Sequence, residues 1–332
     1  MTAPIETTGS QAEAQPEAVL DGVEAKKIEG RSLGQIAWTR FKRDKVAVAG
    51  GVIVILLILV AVLSRPIQSM LGLDPNALDQ DLIDANTSLP KGDFGGMSWD
   101  HPLGVEPKFG RDILARVLEG SWVSLVVAFG ATILSNVIGV VLGLVAGYYG
   151  GRVDSIVSRL MDTFLAFPLL LFAIAISATL QGGAFGLEGL PLHISVLIFV
   201  IGFFNWPYMG RIVRGQTMAL REREFIDASR GMGAGGPYIL FKELLPNLVA
   251  PIVVYSTLLI PTNIIFEASL SFLGVGIQPP QASWGGMLNQ ATRYFQVDPQ
   301  YMIVPGLAIF ITVLAFNLLG DGLRDALDPR SR

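Results

Sequence analysis

Six stretches of at least 18 residues carry no charged side chain: Val46–Ser64, Trp122–Gly151, Thr163–Leu187, Gly189–Gly210, Leu244–Phe266 and Pro299–Gly320. Runs of that length read as membrane-spanning helices, because lipid forces every backbone polar group to be satisfied within its own segment. The ten-residue alternation of a barrel strand is absent. Between the runs the polar positions form recognisable pieces. Ser32–Lys45 predicts an interfacial helix with Trp38 and Phe41 toward lipid and its basic residues toward headgroups. Arg65–Ser121 is punctuated by Asp74-Pro75, Pro90, Gly92, Gly95-Gly96 and Pro102, which predicts turns and loops. Its end, Gly110–Gly120, predicts a short helix along the membrane surface, with Ile113, Leu114, Val117 and Leu118 on one face. Arg221–Asn247 is the one long polar interruption late in the chain. Phe225, Ala228 and Met232 share a helical face there, Gly233-Ala234-Gly235-Gly236 breaks the helix, and Pro237 suits the first turn of a second one.

Composition agrees with the pattern. Of the 332 residues 51% are hydrophobic and 16% charged, against about 25% charged in a soluble domain. There is no cysteine, so disulfides, thiol catalysis and thiolate metal sites are excluded. If the N-terminus is cytoplasmic, 18 of the 24 basic residues fall on the inside. The positive-inside rule therefore places both termini and the Arg221–Asn247 loop in the cytoplasm. Residues 1–30 are rich in Ala, Glu, Thr and Gln and are expected to form a disordered tail. The remaining divisions are 31–64 (interfacial helix and first span), 65–121 (outer segment), 122–320 (five-helix core with the loop at 221–247) and 321–332 (cytoplasmic end). Gly143, Gly147 and Gly151 recur at a four-residue spacing that lets helices approach closely, within one subunit or between two.

Several chemistries are missing. No Gly-Lys dipeptide occurs, so there is no Walker A loop. Gly231, Gly233 and Gly236 spell G-x-G-x-x-G, but after a helical stretch rather than a strand, which fails the dinucleotide-binding test. His101 and His193 are too far apart in sequence to suggest a metal site. Asp162 and Glu267 are expected at span edges, and buried midplane carboxylates of the kind an ion-coupled carrier needs are not found. Any drive for transport should then come from another chain.

Asp227-Ala228-Ser229, then Gly233, then Leu245-Pro246 at a fixed interval resemble the EAA motif of ABC importer permeases, with Asp in place of the usual Glu and Ser in place of the second Ala. His101-Pro102-Leu103-Gly104 with Gly110-Arg111-Asp112, Gly147–Gly151 with Arg152 and Asp154, Met161-Asp162 and Phe167-Pro168 resemble the dipeptide/oligopeptide branch. So do Glu267–Gly274 with Gln278-Pro279-Pro280, and the ending Gly320–Asp325. The similarity covers about residues 35–330 and is that of the C-type permease subunit; Val105-Glu106 departs from the more common Thr-Asp.

The resemblance implies an all-α polytopic membrane protein of six transmembrane helices, the type I ABC importer permease fold with an extra N-terminal helix and a cytoplasmic coupling helix. It implies a non-enzymatic transport subunit in a bacterial inner membrane. Its partners would be a second homologous permease, two ABC ATPases that carry Mg-ATP, an extracytoplasmic substrate-binding protein and the bilayer, with no nucleic acid and no cofactor in this chain. Arg223, Glu224, Asp227, Ala228, Ser229, Gly233, Leu245 and Pro246 would dock the ATPases, with Gly233 permitting the turn and Asp227 supplying charge or a cap. Asn263, Phe266, Glu267 and Ser269, late in the fifth span, are candidates for the substrate pathway. Peptides are the expected cargo; nickel or a small glycoside, an ion-driven carrier and an intramembrane enzyme are the competing readings, in that order.

Overall fold

The computed structural model describes residues 33–179 and 186–327. The tail at 1–30 and the last five residues of the chain lie outside them. Helix α1 (Leu33–Arg43) is the expected interfacial helix, with Trp38 exposed and stacked on Phe41. Asp44 ends it and caps α2 (Lys45–Val62), its carboxylate accepting from the Val46 and Ala47 amides at 2.9 and 3.1 Å. A short α3 (Ser64–Leu71) leads into loops whose extended pairing, among the described residues, is two isolated bridges, Ile83 with Pro90 and Val105 with Asp112.

Helix α4 (Ile113–Tyr149) begins at Asp112, which accepts from the Ala115 amide at 2.7 Å. Gly110–Gly120 is therefore not a separate surface helix. Nothing in Gly120-Ser121 breaks the hydrogen-bond ladder, and Gly120 is clasped by Trp284 instead of bending the chain. The resulting 37-residue rod is about 55 Å long, so it projects beyond a hydrocarbon layer about 30 Å thick.

The third apolar run also differs from expectation. It supplies only the last turn of α5 (Gly151–Ala166) and then α6 (Leu169–Thr179), the two bent by 75° at Phe167-Pro168. Proline lacks the amide that would continue the ladder, and Phe164, Phe167, Phe172 and Phe204 wedge the bend against the next helix. Residues 180–185 of that run are outside the described set.

Helix α7 (Gly189–Leu220) outruns its apolar segment and delivers Arg221 to the end of α4. After α8 (Glu224–Gly231), a first turn α9 (Gly236–Tyr238) passes through a π-helical segment, Ile239–Leu244, into α10 (Leu245–Phe272). A short α11 (Trp284–Ala291) and the long α12 (Gln300–Leu327) follow. Among the described residues, five helices are long and apolar enough to cross a membrane, six if the bent pair is one span.

The centre of the bundle is the α4–α7 pair. A Cβ on Gly139 would stand 2.7 Å from the Trp206 carbonyl, and one on Gly147 would stand 2.6 Å from the Thr217 side chain. Of the two readings of the small-residue spacing, this is the one within the subunit; Gly151 lies past the contact, with open space around it. A buried apolar cluster of α2, α4, α10 and α12 residues, including Val54, Leu125, Ile264 and Phe316, closes the other side.

Candidate functional site

The polar loop after α7 is a rigid projection. Ile226 is fully buried and joins Leu144, Met209, Val213, Ile239 and Leu244 in one apolar cluster. The helix it anchors ends in a Schellman arrangement, the Gly233 amide donating to the Arg230 carbonyl at 2.9 Å and the Ala234 amide to the Ser229 carbonyl at 3.0 Å. Gly233 holds φ at +87°, where a residue with a Cβ is strained. The opposite face is turned to solvent: Phe225 is 38% and Met232 81% exposed, and Ala228 lies exposed between them. Beside them a cavity of about 350 Å³ is lined by Ser229, Met232, Gly233, Gly235, Tyr238 and Glu243.

The other residues read from the motif fall into two groups. Arg223 and Glu224 start α8, exposed; Asp227 pairs with Arg230 at 3.3 Å, and α8 begins without a side-chain cap, so Asp227 does not cap it. Ser229 is buried, Leu245 half-buried, and Pro246 exposed at the start of α10. Pro246 has no amide to give, and the backbone here widens: the Leu245 amide reaches back to the Leu240 carbonyl, while the Asn247 side chain donates to the Glu243 carbonyl at 2.6 Å. The Pro-Asn pair was the signal for this π segment, which sequence reasoning missed.

Sequence reasoning also passed over three arginines of α7 and its cap. Arg221 Nη1 donates to the Gly147 carbonyl at 3.0 Å, satisfying the frayed end of α4. Arg214 pairs with Asp154 through Nη2 and Oδ2 at 2.7 Å, and Arg211 pairs with Asp162. Arg221 thus fastens the start of the projection to the end of α4, and Arg211 and Arg214 fasten α7 to α5.

The residues picked out in the fifth span lie deeper. Asn263 is fully buried; its amide donates to Thr132 Oγ1 at 2.9 Å, and its carbonyl accepts from Asn205 Nδ2 at 3.0 Å, a ladder through α4, α10 and α7. Glu267, one turn on and also buried, accepts from Ser271 Oγ at 2.8 Å, with the Ser124 and Ser283 hydroxyls beside it. Phe266 and Ser269 are half-buried on the same helix. Replacing Asn263 with alanine should strand the Asn205 amide and cost about 1–3 kcal/mol. A thermal midpoint of the detergent-purified protein equal to wild type would contradict this.

At the far end of α4 the connecting loops are packed rather than loose. His101 Nδ1 meets Asp112 at 2.8 Å, while His193 bonds its own helix through the Gly189 carbonyl at 2.7 Å. Burial holds the Asp298 carboxyl above its ordinary range, against a backbone hydrogen bond from Tyr301. Among the described residues no group of three or more His, Cys, Asp or Glu could hold a metal ion.

Similarity to known proteins follows this geometry. Residues 139–332 match the family described as the binding-protein-dependent transport system inner membrane component, and residues 32–89 match the N-terminal TM domain of oligopeptide transport permease C. The glutathione transport system permease protein GsiD of Pectobacterium atrosepticum is 42% identical over 294 residues, 88% of this chain and 90% of that protein. Its Escherichia coli counterpart is 43% identical over 293 residues, 88% and 89% of the two chains. Among solved structures, a chain of the MetNI methionine ABC transporter in an inward-facing conformation superposes with a TM-score of 0.50 at 24% identity, covering 64% of this chain and 96% of that one. That last likeness concerns the fold.

Proposed function

We propose a cargo and a drive for this chain from one premise: it belongs to the family of binding-protein-dependent transport system inner membrane components, and within it to the ABC importer permeases of the peptide branch. The cargo is a small peptide, with glutathione, the solute named for the relatives, as the first to test. The chain pairs with a second permease, and ATP is hydrolysed by two partner ATPases that receive the α8 projection from the cytoplasmic side. An extracytoplasmic binding protein delivers the peptide.

The observation that carries the drive is the exposed face of Phe225, Ala228 and Met232 on a projection pinned from behind by Ile226. A docking element can shift a conformational equilibrium only by contacting its two states differently, and a stiff knob transmits displacement where a loose loop would absorb it. ATP-driven closure of the ATPases displaces α8. Arg221 and the close α4–α7 contact carry that displacement into the bundle, which alternates between inward- and outward-open arrangements. Phe266 and Ser269 face the pathway; Asn263 and Glu267 brace the helices behind it. Glu243 has no role in this scheme beyond lining the small cavity.

The complex reconstituted in liposomes with its binding protein should hydrolyse ATP several-fold faster in the presence of glutathione and accumulate it inside. Stimulation by nickel or a glycoside with none by glutathione or dipeptides would overturn the peptide assignment.

A further inference from the structure

At the end of α4 remote from the coupling projection, a polar pocket has no part in the scheme above. Glu106 is buried and shared by two guanidinium groups, pairing with Arg111 Nε through one oxygen and with Arg116 Nε at 3.2 Å through the other. Tyr301 donates to the same carboxylate at 3.1 Å. Arg116 spends Nη1 on the Pro75 and Pro280 carbonyls, at 3.2 and 3.1 Å. Arg111 is left poorly satisfied: its two terminal nitrogens reach only the Pro280 carbonyl at 3.5 Å and Gln290 Oε1 at 3.4 Å.

Arg111 borders a cavity of about 450 Å³ whose wall also includes Lys108, Phe109, Gln290, Arg293 and Tyr294. Three cations line it and no acid does. Lys108 and Arg293 are exposed, with no carboxylate within ion-pair distance among the described residues. Lys108 also holds φ at +73°, a conformation that residues with a Cβ rarely adopt and that concentrates at functional positions. Lys108 and Arg111 both lie about a ring's reach from Phe109, at 5.1 and 5.0 Å from its centroid.

We propose that this pocket is a carboxylate site that holds the terminal carboxylate of a small peptide-like solute between Lys108, Arg111 and Arg293. Arg111 presents a planar fork already oriented by Glu106, the geometry that suits a carboxylate. Phe109 and Tyr294 flank the apolar part of the solute. The volume falls in the range of small-molecule sites rather than that of a protein contact. The inference deepens the transport reading by naming the chemical group recognised at the outer mouth.

The test uses the assembled, detergent-purified complex without its binding protein, with N-acetyl-diglycine and its C-terminal amide as probes in saturation-transfer NMR. The acid should bind at least ten-fold more tightly than the amide, and the exposed-site double variant Lys108→Gln/Arg293→Gln should abolish that preference while basal ATP hydrolysis stays unchanged. Equal binding of acid and amide, or an unaltered preference in the double variant, overturns the proposal. So does a variant that keeps the preference but no longer docks the binding protein, which would assign these cations to an acidic protein surface. Failure of glutathione to stimulate ATP hydrolysis, with the acid preference intact, removes the glutathione assignment and supports the pocket.

Discussion

Ala228→Arg should leave the protein folded and remove substrate-stimulated ATP hydrolysis in the assembled complex. Ala228 is exposed on the outer face of α8, while Ile226 and Ser229 on the inner face hold the helix to the bundle, so a long side chain at 228 meets solvent in the isolated subunit. If α8 docks on an ATPase as proposed, the same side chain stands between Phe225 and Met232, where close approach requires a small residue. Separating the surfaces by a few ångströms forfeits their dispersion contacts. A loss of about 1.4 kcal/mol in differential contact already lowers coupling ten-fold, and an arginine that also buries its charge should exceed that. Gly233→Val reaches the same end by another route. No atom lies within 4 Å of a Cβ there, so the cost is conformational, about 1–2 kcal/mol for forcing a left-handed φ. It falls on the turn that orients α8. Gly231→Ala is the internal control: Gly231 is the last residue of α8, has open space around it, and should be silent. Wild-type stimulation in Ala228→Arg and Gly233→Val would remove the docking role from this loop.

The second large effect is expected at Gly143. A Cβ there would stand 2.7 Å from the Gly210 carbonyl, 2.9 Å from the Val213 Cβ and 3.1 Å from the Arg214 amide. Two of these are backbone atoms in the middle of a helix, so no rotamer change relieves the contact and the helices must separate. Gly143→Ala should cost about 1–3 kcal/mol. Gly143→Leu should prevent the α4–α7 pair from forming, and with it the Arg221 cap on the Gly147 carbonyl and the seat of Ile226. The expected outcome is loss of the chain from the assembled complex on size-exclusion chromatography. Gly215→Ala, on α7 but with nothing within 4 Å, should behave as wild type. A Gly143→Leu complex of normal yield and midpoint would show that the helices tolerate separation.

The parts legible in the sequence share a physical character. Each spanning helix is selected by its own composition, since an apolar run long enough to cross lipid has no alternative to a helix. The break at Gly233 follows from a single residue with a missing Cβ. Helical spacing put Phe225, Ala228 and Met232 on one face, because i, i+3, i+7 positions share a face on any helix, and all three are exposed. The misses have the opposite character. Gly110–Gly120 was read as separate because its polarity differs from that of the next segment, whereas the helix continues for want of a breaker and because Trp284, more than 160 residues away in the chain, packs on Gly120. Asn263 and Glu267 could be noticed as polar residues in an apolar helix, but the hydrogen bonds of Asn263 run to Thr132 and Asn205 on other helices, and Glu267 is buried by the packing of the bundle.

The sequence by itself determined that the chain is a set of apolar helices with one stiff polar projection, because hydropathy, proline and glycine act over a single turn or a single span. Tertiary structure alone decided which helices touch, that the Gly139–Gly147 stripe is spent on α7, that Arg221 ties the projection to α4, and that Lys108, Arg111 and Arg293 surround one pocket. Those depend on side chains far apart in the chain meeting at contact distance, and no local pattern encodes that distance.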